Sequence, residues 1–301
     1  MNVRVNQATP DGQQNPERDH LRAKLNLHTY LKHREVIRLG NEVIHCELYE
    51  HSEGAPTILF LPGIGTYTEL YGELLCKLSK TGFNVVGIDL PGHGYSGGSR
   101  GLYTVDQVCE VVSQVVDHLQ TRFSGKFAVY GYSIGALLGV SAAEHDDRLE
   151  AVLCGTLLLP DIAPDFIHQM GWQWTYANAF MFPYMRLPLR MFVDFEQLLA
   201  SHPAGEVINN DPMIVFDYPL KTLSSAFSRR CGIVKNQYSF KAAIIHGDRD
   251  EVLPLVYSER VVRECQHPFE LLVMENASHM VPWLQTDNLV DMSSQWFLNN
   301  L

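Results

Sequence analysis

The sequence predicts an α/β fold, in which a doubly wound and mostly parallel β-sheet carries an inserted helical cap, or lid. Two observations lead to this prediction. Short β-branched runs alternate along the chain with amphipathic segments of helical length, as in sheets whose parallel strands are joined by crossover helices. Between Leu159 and Lys241 about 80 residues lack a strong strand pattern. Because a structureless loop of that length is rare inside a compact domain, they indicate an inserted, largely helical unit.

The expected elements follow in chain order. The strand candidates, several of them apolar almost throughout as in strands buried on both faces, are Glu42–Tyr49, Thr57–Leu61, Asn84–Leu90, Lys126–Tyr130, Ala151–Leu159, Lys241–Ile245 and Phe269–Met274. The helix candidates are Tyr67–Lys80, Thr104–Thr121, Ile134–His145, Leu255–Glu264 and Leu284–Leu298. We therefore divide the chain into a flexible N-terminal arm (1–20), a first part of the α/β core (21–159), the helical cap (160–240) and a second part of the core (241–301).

Composition excludes several classes of function. The chain has 301 residues and a net charge of −11, which argues against a nucleic-acid partner, because phosphate backbones are bound by clustered Lys and Arg. No apolar run approaches the ~20 residues of a membrane span, and the first residues lack the apolar core of a signal peptide. The six cysteines show neither a CxxC pair nor metal-ligand spacing. We expect a cytoplasmic protein with reduced thiols, no metal and no cofactor; its oligomeric state stays open.

The first half of the cap is rich in large apolar residues, from Phe166 to Tyr184. It could pack a core of its own, or it could form a lid whose apolar inner face lines a substrate pocket. For the second case Trp172, Trp174 and Phe180 are the candidate substrate-binding residues. The same aromatic stretch could also make transient contact with a lipid surface.

The motif Gly-x-Ser-x-Gly occurs three times, centred on Ser96, Ser99 and Ser133. A nucleophilic serine in this motif needs a strand before it and a helix after it, because the sharp turn between them exposes the hydroxyl. Ser133 has that setting, between the strand candidate Lys126–Tyr130 and the helix candidate Ile134–His145. We therefore identify Ser133 as the candidate nucleophile and predict a flexible loop around Ser96 and Ser99.

A serine hydroxyl needs a base to take its proton and an acid to orient that base. His279 follows the strand candidate Phe269–Met274, and open α/β sheets build their sites beyond the carboxyl ends of strands. Asp248, Asp250 and Glu251 follow the preceding strand candidate in the same way. The order serine, acid, histidine is that of a Ser-His-Asp triad on an α/β sheet, and the residues alone leave the acid open among the three.

These motifs resemble those of the α/β-hydrolases, in particular the lysophospholipase-like and monoacylglycerol-lipase-like serine hydrolases of the serine aminopeptidase S33 type. The resemblance covers about residues 40–300 and rests on the segments Asp89–Gly101, Gly131–Gly135, His246–Asp250 and Ser278–His279. It implies an α/β-hydrolase fold. It also implies that the acid is Asp250, the last residue of an H-G-x-x-D pattern, and that His93 is structural.

An oxyanion hole needs two backbone N–H groups aimed at the charge that develops on the attacked carbonyl. One is expected from Ile134, which opens the helix after Ser133. The resemblance implies that the second comes from Ile64, in the loop Leu61–Gly65. Pro62 stands where the family usually has a histidine, so the groups that support this loop must differ.

A second departure concerns the alcohol part of a substrate. The monoacylglycerol lipases that the chain resembles commonly follow this loop with a glutamate and, four residues later, an arginine, which help to hold the glycerol. The matching positions are Thr66 and Leu70. The chain therefore lacks the charged pair of that route, and a monoglyceride is one candidate substrate among several.

The favoured hypothesis is a serine hydrolase whose partner is a small-molecule ester or lipid with an apolar acyl group. The same residues could serve an amidase or aminopeptidase, a thioesterase or an acyltransferase. An aminopeptidase would need an acidic pair in the lid, and the candidates are Asp161, Asp165, Asp194 and Glu196. The alternative from another class is a non-catalytic binding protein on the same scaffold. Such proteins typically lack part of the triad.

The repeated serine motifs can be separated by substitution. Ser133→Ala is expected to abolish ester turnover because it removes the nucleophile, whereas Ser96→Ala is expected to leave most of the activity. Rates of p-nitrophenyl ester hydrolysis by the two folded variants check this. Equal losses in both variants would contradict the choice of Ser133.

Overall fold

The structure is a computed structural model that describes residues 16–40, 43–189, 194–199, 202 and 205–301. Among these residues, no helix combines the length and the apolar character that a membrane crossing requires. All six cysteines fall within the described ranges, and each is a free thiol.

A large, mostly parallel β-sheet forms the centre of the fold. The strands, numbered along the chain, are β1 (Glu35–Leu39), β2 (Ile44–Tyr49), β3 (Thr57–Leu61), β4 (Asn84–Ile88), β5 (Phe127–Tyr132), β6 (Leu149–Gly155), β7 (Arg186–Pro188), β8 (Asp217–Pro219), β9 (Lys241–Gly247) and β10 (Glu270–Met274). Eight of them form one sheet in the order β1-β2-β4-β3-β5-β6-β9-β10, and β7 pairs with β8 in a separate ribbon. In the large sheet β2 is antiparallel to β1 and β4, and every other pair is parallel.

This sheet confirms the predicted fold class, and each predicted strand run overlaps one of its strands. The sequence analysis missed β1, β7 and β8. β1 has five residues at the edge of the sheet, and β7 and β8 have three residues each. Three residues are too few to show a period of two, and in β1 Glu35 and Arg38 interrupt the apolar run, so that neither alternation nor a continuous apolar stretch marks this strand.

Helices cover both faces of the sheet. They are α1 (Pro16–Lys24), α2 (His28–Leu31), α3 (Gly72–Ser79), α4 (Val105–Leu119), α5 (Ile134–His145), α6 (Phe166–Met181), α7 (Phe195–Leu198), α8 (Gly205–Asn209), α9 (Leu220–Phe227), α10 (Leu255–Glu264), α11 (Val281–Leu284) and α12 (Thr286–Asn300). Residues of α4, α5 and α10 pack into the hydrophobic core on one face, and residues of α1, α3 and α12 pack into the core on the other. In α4 the buried residues Val105, Val108 and Val112 recur every three or four positions, which places them on one side of the helix.

The cap between β6 and β9 contains α6, β7, α7, α8, β8 and α9. α6 packs against α9, where the Trp172 ring stacks on Phe227 at a centroid distance of 5.6 Å. Most of α6 faces solvent: Phe180 is 92% exposed, and Thr175 is the one buried residue of this helix. The aromatic stretch of the cap therefore neither forms a core of its own nor covers the sheet with its large side chains.

The N-terminal residues differ in part from the predicted flexible arm. Residues 16–20 begin α1, and its side chains Arg18 and Leu21 are buried. Residues 1–15 of the predicted arm lie outside the described residues. The physical reason for the difference is a set of buried ion pairs. They join the N-terminal residues to a carboxylate far away in the chain, so a local sequence pattern cannot reveal them.

The carboxylate at the centre of these ion pairs is Glu69, in the 3₁₀ turn Thr68–Tyr71. It is fully buried and accepts hydrogen bonds from Arg18, from Arg22 Nη2 at 2.8 Å and from Arg34 Nη1 at 3.2 Å. Burial by itself would raise the pKa of Glu69, but the hydrogen bond to Arg22 and the charges of Arg18 and Arg34 outweigh burial and lower this pKa to about 2. An ionised Glu69 thus ties α1 and the chain before β1 to the core.

Glu69→Gln is expected to destabilise the fold, because it removes the negative charge that the buried guanidinium groups of Arg18, Arg22 and Arg34 share. Removing one partner of a buried ion pair typically costs about 3–5 kcal/mol. A glutamate in an unfolded chain has a pKa near 4.3, and Glu69 in the fold has a pKa of about 2. The stabilisation is therefore complete above about pH 4.3 and declines as the pH falls toward about 2. Urea unfolding midpoints of both proteins at neutral and acidic pH check this.

The matched control is Glu259→Gln. Glu259 is exposed and makes no ion pair with the described residues, so its substitution is expected to change stability by no more than about 0.5 kcal/mol. A Glu69→Gln protein with the wild-type midpoint at neutral pH would contradict the assigned role of Glu69.

Candidate active site

Ser133 lies at the sharp turn between β5 and α5. Its backbone has φ 55° and ψ −121°, in the positive-φ region that residues other than glycine rarely adopt. The glycines on either side are required by close packing. A Cβ at Gly131 would lie 2.0 Å from the Gly135 carbonyl oxygen, and a Cβ at Gly135 would lie 2.2 Å from the Leu61 carbonyl oxygen. The turn holds the half-buried serine at the carboxyl end of a central strand.

The other two motif serines have different surroundings. Ser96 Oγ donates a hydrogen bond to the Asp89 carbonyl oxygen at 2.7 Å and accepts one from the His45 N–H at 2.9 Å. Ser99 is exposed, and neither serine directly precedes a helix. Of the three motif serines, Ser133 has the strand-turn-helix geometry of a nucleophile elbow.

His279 and Asp250 are joined by a hydrogen bond. Asp250 follows β9 and His279 follows its parallel neighbour β10, so both loops leave the same edge of the sheet. His279 Nδ1 lies 2.8 Å from Asp250 Oδ2. The other two candidate acids accept from the backbone instead: Asp248 from the Ala277 N–H at 3.2 Å, and Glu251 from the His279 N–H at 3.1 Å. The imidazole is therefore paired with Asp250.

The Asp250 carboxylate is buried, and both of its oxygens are hydrogen-bonded. Oδ1 accepts from the N–H groups of Val252 and Leu253, each at 2.8 Å, and Oδ2 also accepts from Thr156 Oγ1 at 3.0 Å. Burial alone would raise the pKa of Asp250, but the hydrogen bond and charge of His279 and the Leu253 N–H outweigh it and lower this pKa. An ionised Asp250 keeps the proton of His279 on Nδ1, which leaves Nε2 as the nitrogen that can act as a base.

Ser133 and His279 line one cavity of about 610 Å³. The core contributes the loop after β3, the nucleophile turn and the segments around His279, and the cap contributes α7 and the residue before it. The described residues that line the cavity are Gly63, Ile64, Thr66, Tyr71, Tyr132, Ser133, Asp194, Phe195, Gln197, Leu198, Glu251, Val252, His279, Met280 and Trp283. This set is mainly apolar and aromatic, and it includes two carboxylates and no lysine or arginine.

The three cap residues that the sequence analysis selected for substrate binding do not border this cavity. Trp172 and Phe180 border two other surface recesses, and Trp174 is 48% exposed. The cap reaches the cavity through Phe195 and Leu198 of α7 instead. α7 has four residues, too few for a periodic pattern, so sequence reasoning had no signal for it beyond the two acidic candidates, Asp194 just before it and Glu196 within it.

The two candidate oxyanion donors are backbone N–H groups near Ser133. The N–H of Ile134, at the first position of α5, has no acceptor within its own helix. The loop after β3 lies against the serine, since a Cβ at Gly63 would stand 3.6 Å from Ser133 Cβ. The N–H of Ile64, the next residue, makes no backbone or side-chain hydrogen bond within the described part of the chain.

The loop after β3 is supported by two tyrosine hydroxyls. The Gly63 N–H donates to Tyr71 Oη at 3.2 Å, and the Gly65 N–H donates to Tyr218 Oη at 2.7 Å. Sequence reasoning missed both tyrosines. Tyr71 lay inside a helix candidate and Tyr218 inside the cap, and neither position indicates a contact with this loop.

His93 supports the same loop indirectly, through its contact with Tyr218. Its Nε2 lies 2.5 Å from Tyr218 Oη, and its Nδ1 lies 3.1 Å from the Pro91 carbonyl oxygen. Burial lowers the pKa of His93 to about 4, so the ring is neutral, with Nδ1–H donating to the carbonyl and Nε2 accepting from the tyrosine. The Val215 N–H also donates to the Gly65 carbonyl oxygen at 2.9 Å, which links the cap to this loop.

Asp250→Asn is expected to lower kcat for ester hydrolysis by about 10³- to 10⁴-fold, because an amide neither holds the Nδ1 proton of His279 nor stabilises the imidazolium. Asp248→Asn is the matched control. An asparagine at position 248 can still accept from the Ala277 N–H, so most of the activity is expected to remain. Steady-state kinetics of both folded variants check this, and a similar loss in each would contradict the pairing of His279 with Asp250.

Comparison with known proteins assigns the chain to a family. The family model described as serine aminopeptidase, S33, matches residues 53–283, more than half of the chain. The pimeloyl-[acyl-carrier protein] methyl ester esterase of Nitrosospira multiformis is 26% identical over 253 residues, which are 79% of this chain and 92% of that protein. For two further curated relatives the match is shorter, and the chain spans 35% and 46% of their length.

Two solved lipase structures have a similar fold. The monoacylglycerol lipase of Paleococcus ferrophilus has a TM-score of 0.71 and 21% identity, over 86% of this chain and 99% of that chain. A soluble variant of the Saccharomyces cerevisiae monoglyceride lipase has a TM-score of 0.70 and 18% identity, over 89% of this chain and 96% of that chain. At these identities the likeness concerns the fold alone. With the family match over residues 53–283, the chain belongs to the serine aminopeptidase S33 family of α/β-hydrolases.

Proposed function

We propose that this protein is a serine hydrolase that cleaves carboxylic esters with an apolar, lipid-like acyl group. One observation carries the proposal: Ser133, at a strained strand-to-helix turn, and His279, hydrogen-bonded at 2.8 Å to the buried Asp250 carboxylate, line the same cavity. A hydroxyl, a base and an anionic orienter beside one cavity are the groups that nucleophilic acyl transfer requires.

In the proposed reaction, Ser133 Oγ attacks the ester carbonyl carbon while His279 Nε2 takes the hydroxyl proton. The ionised Asp250 stabilises the imidazolium that forms, and the N–H groups of Ile64 and Ile134 donate to the oxyanion. Collapse of the tetrahedral intermediate releases the alcohol, which receives its proton from His279. A water molecule, deprotonated by the same imidazole, then hydrolyses the acyl-enzyme and regenerates Ser133.

The lining of the cavity supports an apolar acyl group. Phe195, Leu198, Val252, Met280 and Trp283 present apolar or aromatic surface to it. Its volume of about 610 Å³ falls within the range of about 300–1,000 Å³ that is typical of small-molecule sites. We therefore assign these five side chains to the acyl-binding wall.

The alcohol part of the substrate is less restricted by charge than in a glycerol-binding site with a glutamate and an arginine. Thr66 and Leu70 stand at those positions, and the Thr66 hydroxyl is engaged with the Gly63 carbonyl oxygen at 2.8 Å. The similar proteins named above are a methyl ester esterase and two monoglyceride lipases. Each of these names indicates an ester substrate, but the alcohol is methanol in the first and glycerol in the other two. We propose an ester substrate without committing it to glycerol.

A second candidate is an ester or amide that carries an amine near the scissile carbonyl. Asp194 and Glu251 both line the cavity, and the described lining contains no cation to pair with them. Carboxylates in a half-enclosed site favour a cationic group. Of the acids that the sequence analysis considered for an aminopeptidase, Asp194 borders the cavity, while Asp161 borders a separate recess.

We further propose that α6 makes transient contact with lipid aggregates. This helix contains no lysine, arginine, aspartate or glutamate. Its side chains Phe166, Ile167, Phe180 and Met181 are each more than 70% exposed. An uncharged aromatic helix on the surface of the cap is the type of surface that inserts at a membrane interface.

The test is a rate profile over p-nitrophenyl esters from acetyl to palmitoyl, with wild type beside Ser133→Ala. We expect kcat/KM to be highest for medium or long acyl chains, because these fill the apolar cavity, and we expect no turnover by the variant. Rates of one long-chain ester below and above its micelle concentration extend the profile, and a rise above that concentration is expected if α6 binds the aggregate.

The other outcomes separate the alternatives. Fast turnover of acetyl and butyryl esters alone would contradict the lipid-like acyl group and indicate a small-metabolite esterase. Hydrolysis of aminoacyl amides without ester turnover would favour the amine-bearing candidate. No turnover of either class, and no labelling of Ser133 by a fluorophosphonate, would favour a binding protein on the same scaffold.

A further inference from the structure

Gly63, Thr66 and Tyr71 form a closed ring of hydrogen bonds beside the candidate oxyanion hole. The Gly63 N–H donates to Tyr71 Oη at 3.2 Å, Tyr71 Oη lies 2.9 Å from Thr66 Oγ1, and Thr66 Oγ1 donates to the Gly63 carbonyl oxygen at 2.8 Å. Thr66 and Tyr71 are each 2% exposed, so water has little access to the ring. All three residues also line the cavity that holds Ser133.

The direction of every hydrogen bond in the ring follows from the chemistry of its groups. An amide N–H only donates, a carbonyl oxygen only accepts, and each hydroxyl has one hydrogen. Since the Thr66 hydrogen is used on the Gly63 carbonyl, Tyr71 must donate to Thr66 and accept from Gly63. Burial raises the pKa of Tyr71 to about 12, although its hydrogen bonds with Thr66 and Gly63 lower it, so the phenol keeps its hydrogen at neutral pH.

The ring fixes the peptide unit between Gly63 and Ile64. A trans peptide is planar, and its C=O and N–H point in opposite directions. The Gly63 carbonyl oxygen is held by the Thr66 hydroxyl at 2.8 Å and by the Thr66 N–H at 3.2 Å. The N–H of Ile64, at the other end of the same peptide, must therefore point away from Thr66, and it has no other partner among the described residues.

The Tyr71 ring is itself held by its neighbours. Its centroid lies 4.7 Å from that of Trp283, 4.8 Å from that of Phe60 and 6.0 Å from that of Tyr132. Trp283 Nε1 donates to the Leu70 carbonyl oxygen at 2.9 Å, which fixes the indole against the 3₁₀ turn Thr68–Tyr71 that carries Tyr71. The phenol oxygen is thus a rigid anchor for the ring rather than a mobile surface hydroxyl.

We propose that Thr66 and Tyr71 are positioning residues, which aim the Ile64 N–H at the oxyanion of the transition state. The inference rests on the proposed function, because it concerns the same reaction. It assigns the Thr66 hydroxyl to the catalytic loop itself, so this hydroxyl is not available to bind the alcohol part of a substrate.

The test compares Thr66→Val, Thr66→Ser and Tyr71→Phe with wild type on the best p-nitrophenyl ester. Thr66→Val removes the hydroxyl at nearly constant volume, and we expect kcat to fall by about 10- to 100-fold, because a misaligned oxyanion donor loses much of its effect. KM is expected to change less than about threefold, since the donor acts in the transition state. Thr66→Ser keeps the hydroxyl and is expected to retain most of kcat.

Tyr71→Phe opens the same ring from the other side and is expected to lower kcat in the same way. Because the ring acts as a unit, the two losses of kcat are not expected to add. The double variant Thr66→Val/Tyr71→Phe is expected to have a kcat only slightly below that of the less active single variant. A second measurement is the rate at which a fluorophosphonate labels Ser133. Its phosphoryl oxygen would use the same donors, so labelling is expected to slow in parallel with kcat.

The matched control is Thr68→Val, the same substitution two residues further along. Thr68 is fully buried, and its hydroxyl makes no hydrogen bond within the described part of the chain. We expect kcat and labelling to stay at the wild-type level in this variant. Thermal unfolding midpoints of all variants show whether a loss of rate reflects a loss of folded protein.

The outcomes distinguish this inference from the proposed function. An active wild type beside a Thr66→Val variant with unchanged kcat and labelling would overturn the inference alone. An equal loss of kcat in Thr66→Ser and Thr66→Val would also overturn it, because the hydroxyl would then not matter. A wild type that neither hydrolyses esters nor takes the label would overturn the proposed function and the inference with it.

Discussion

The parallel pairing of the central strands is the constraint on which the candidate site depends. Strands β3, β5, β6, β9 and β10 are neighbours in the sheet and run in one direction, so their carboxyl ends lie along one edge. Each is followed closely by one part of the site, in strand order Ile64, Ser133, Thr156, Asp250 and His279. Backbone hydrogen bonds between strands therefore bring together residues that are far apart in the chain. Short loops after these strands are then enough to place the side chains of the candidate site next to one another.

The second requirement is close backbone approach between the loop after β3 and the nucleophile turn. Gly135 stands against the Leu61 carbonyl oxygen, where no Cβ would fit, and Gly63 stands against Ser133. The positive φ of Ser133 is maintained by this packing and by the hydrogen bond from its N–H to the Gly155 carbonyl oxygen at 2.8 Å. A strained backbone of this kind costs of order 1–3 kcal/mol and persists when its surroundings define it from several sides. The strained turn leaves the Ser133 side chain half-buried, beside a cavity that Gly63 and Ile64 also line.

Two groups of buried polar residues lie near the site, one charged and one neutral. Glu69 is ionised and neutralised by arginines from the N-terminal residues, which stabilises the turn between the loop after β3 and α3. The ring formed by Gly63, Thr66 and Tyr71 is neutral and sits at the cavity itself. The ring carries no formal charge, and its N–H, hydroxyl and carbonyl groups satisfy one another's hydrogen bonds.

The sequence by itself determined the α/β class, seven of the eight strands of the central sheet and the candidates Ser133 and His279, because these depend on local features: apolar runs, glycine spacing and position after a strand. For the acid it left Asp248, Asp250 and Glu251, among which the resemblance to the α/β-hydrolases implied Asp250. The tertiary structure alone decided that the imidazole pairs with Asp250 rather than Asp248 or Glu251, and that α7 rather than α6 lines the cavity. It also decided that Thr156, Tyr71 and Tyr218 hold the site, and that residues 16–20 are bound through Glu69. These are hydrogen bonds and ion pairs between residues distant in the chain, and such contacts leave no periodic trace in a sequence, because their partners become neighbours only when the sheet has formed.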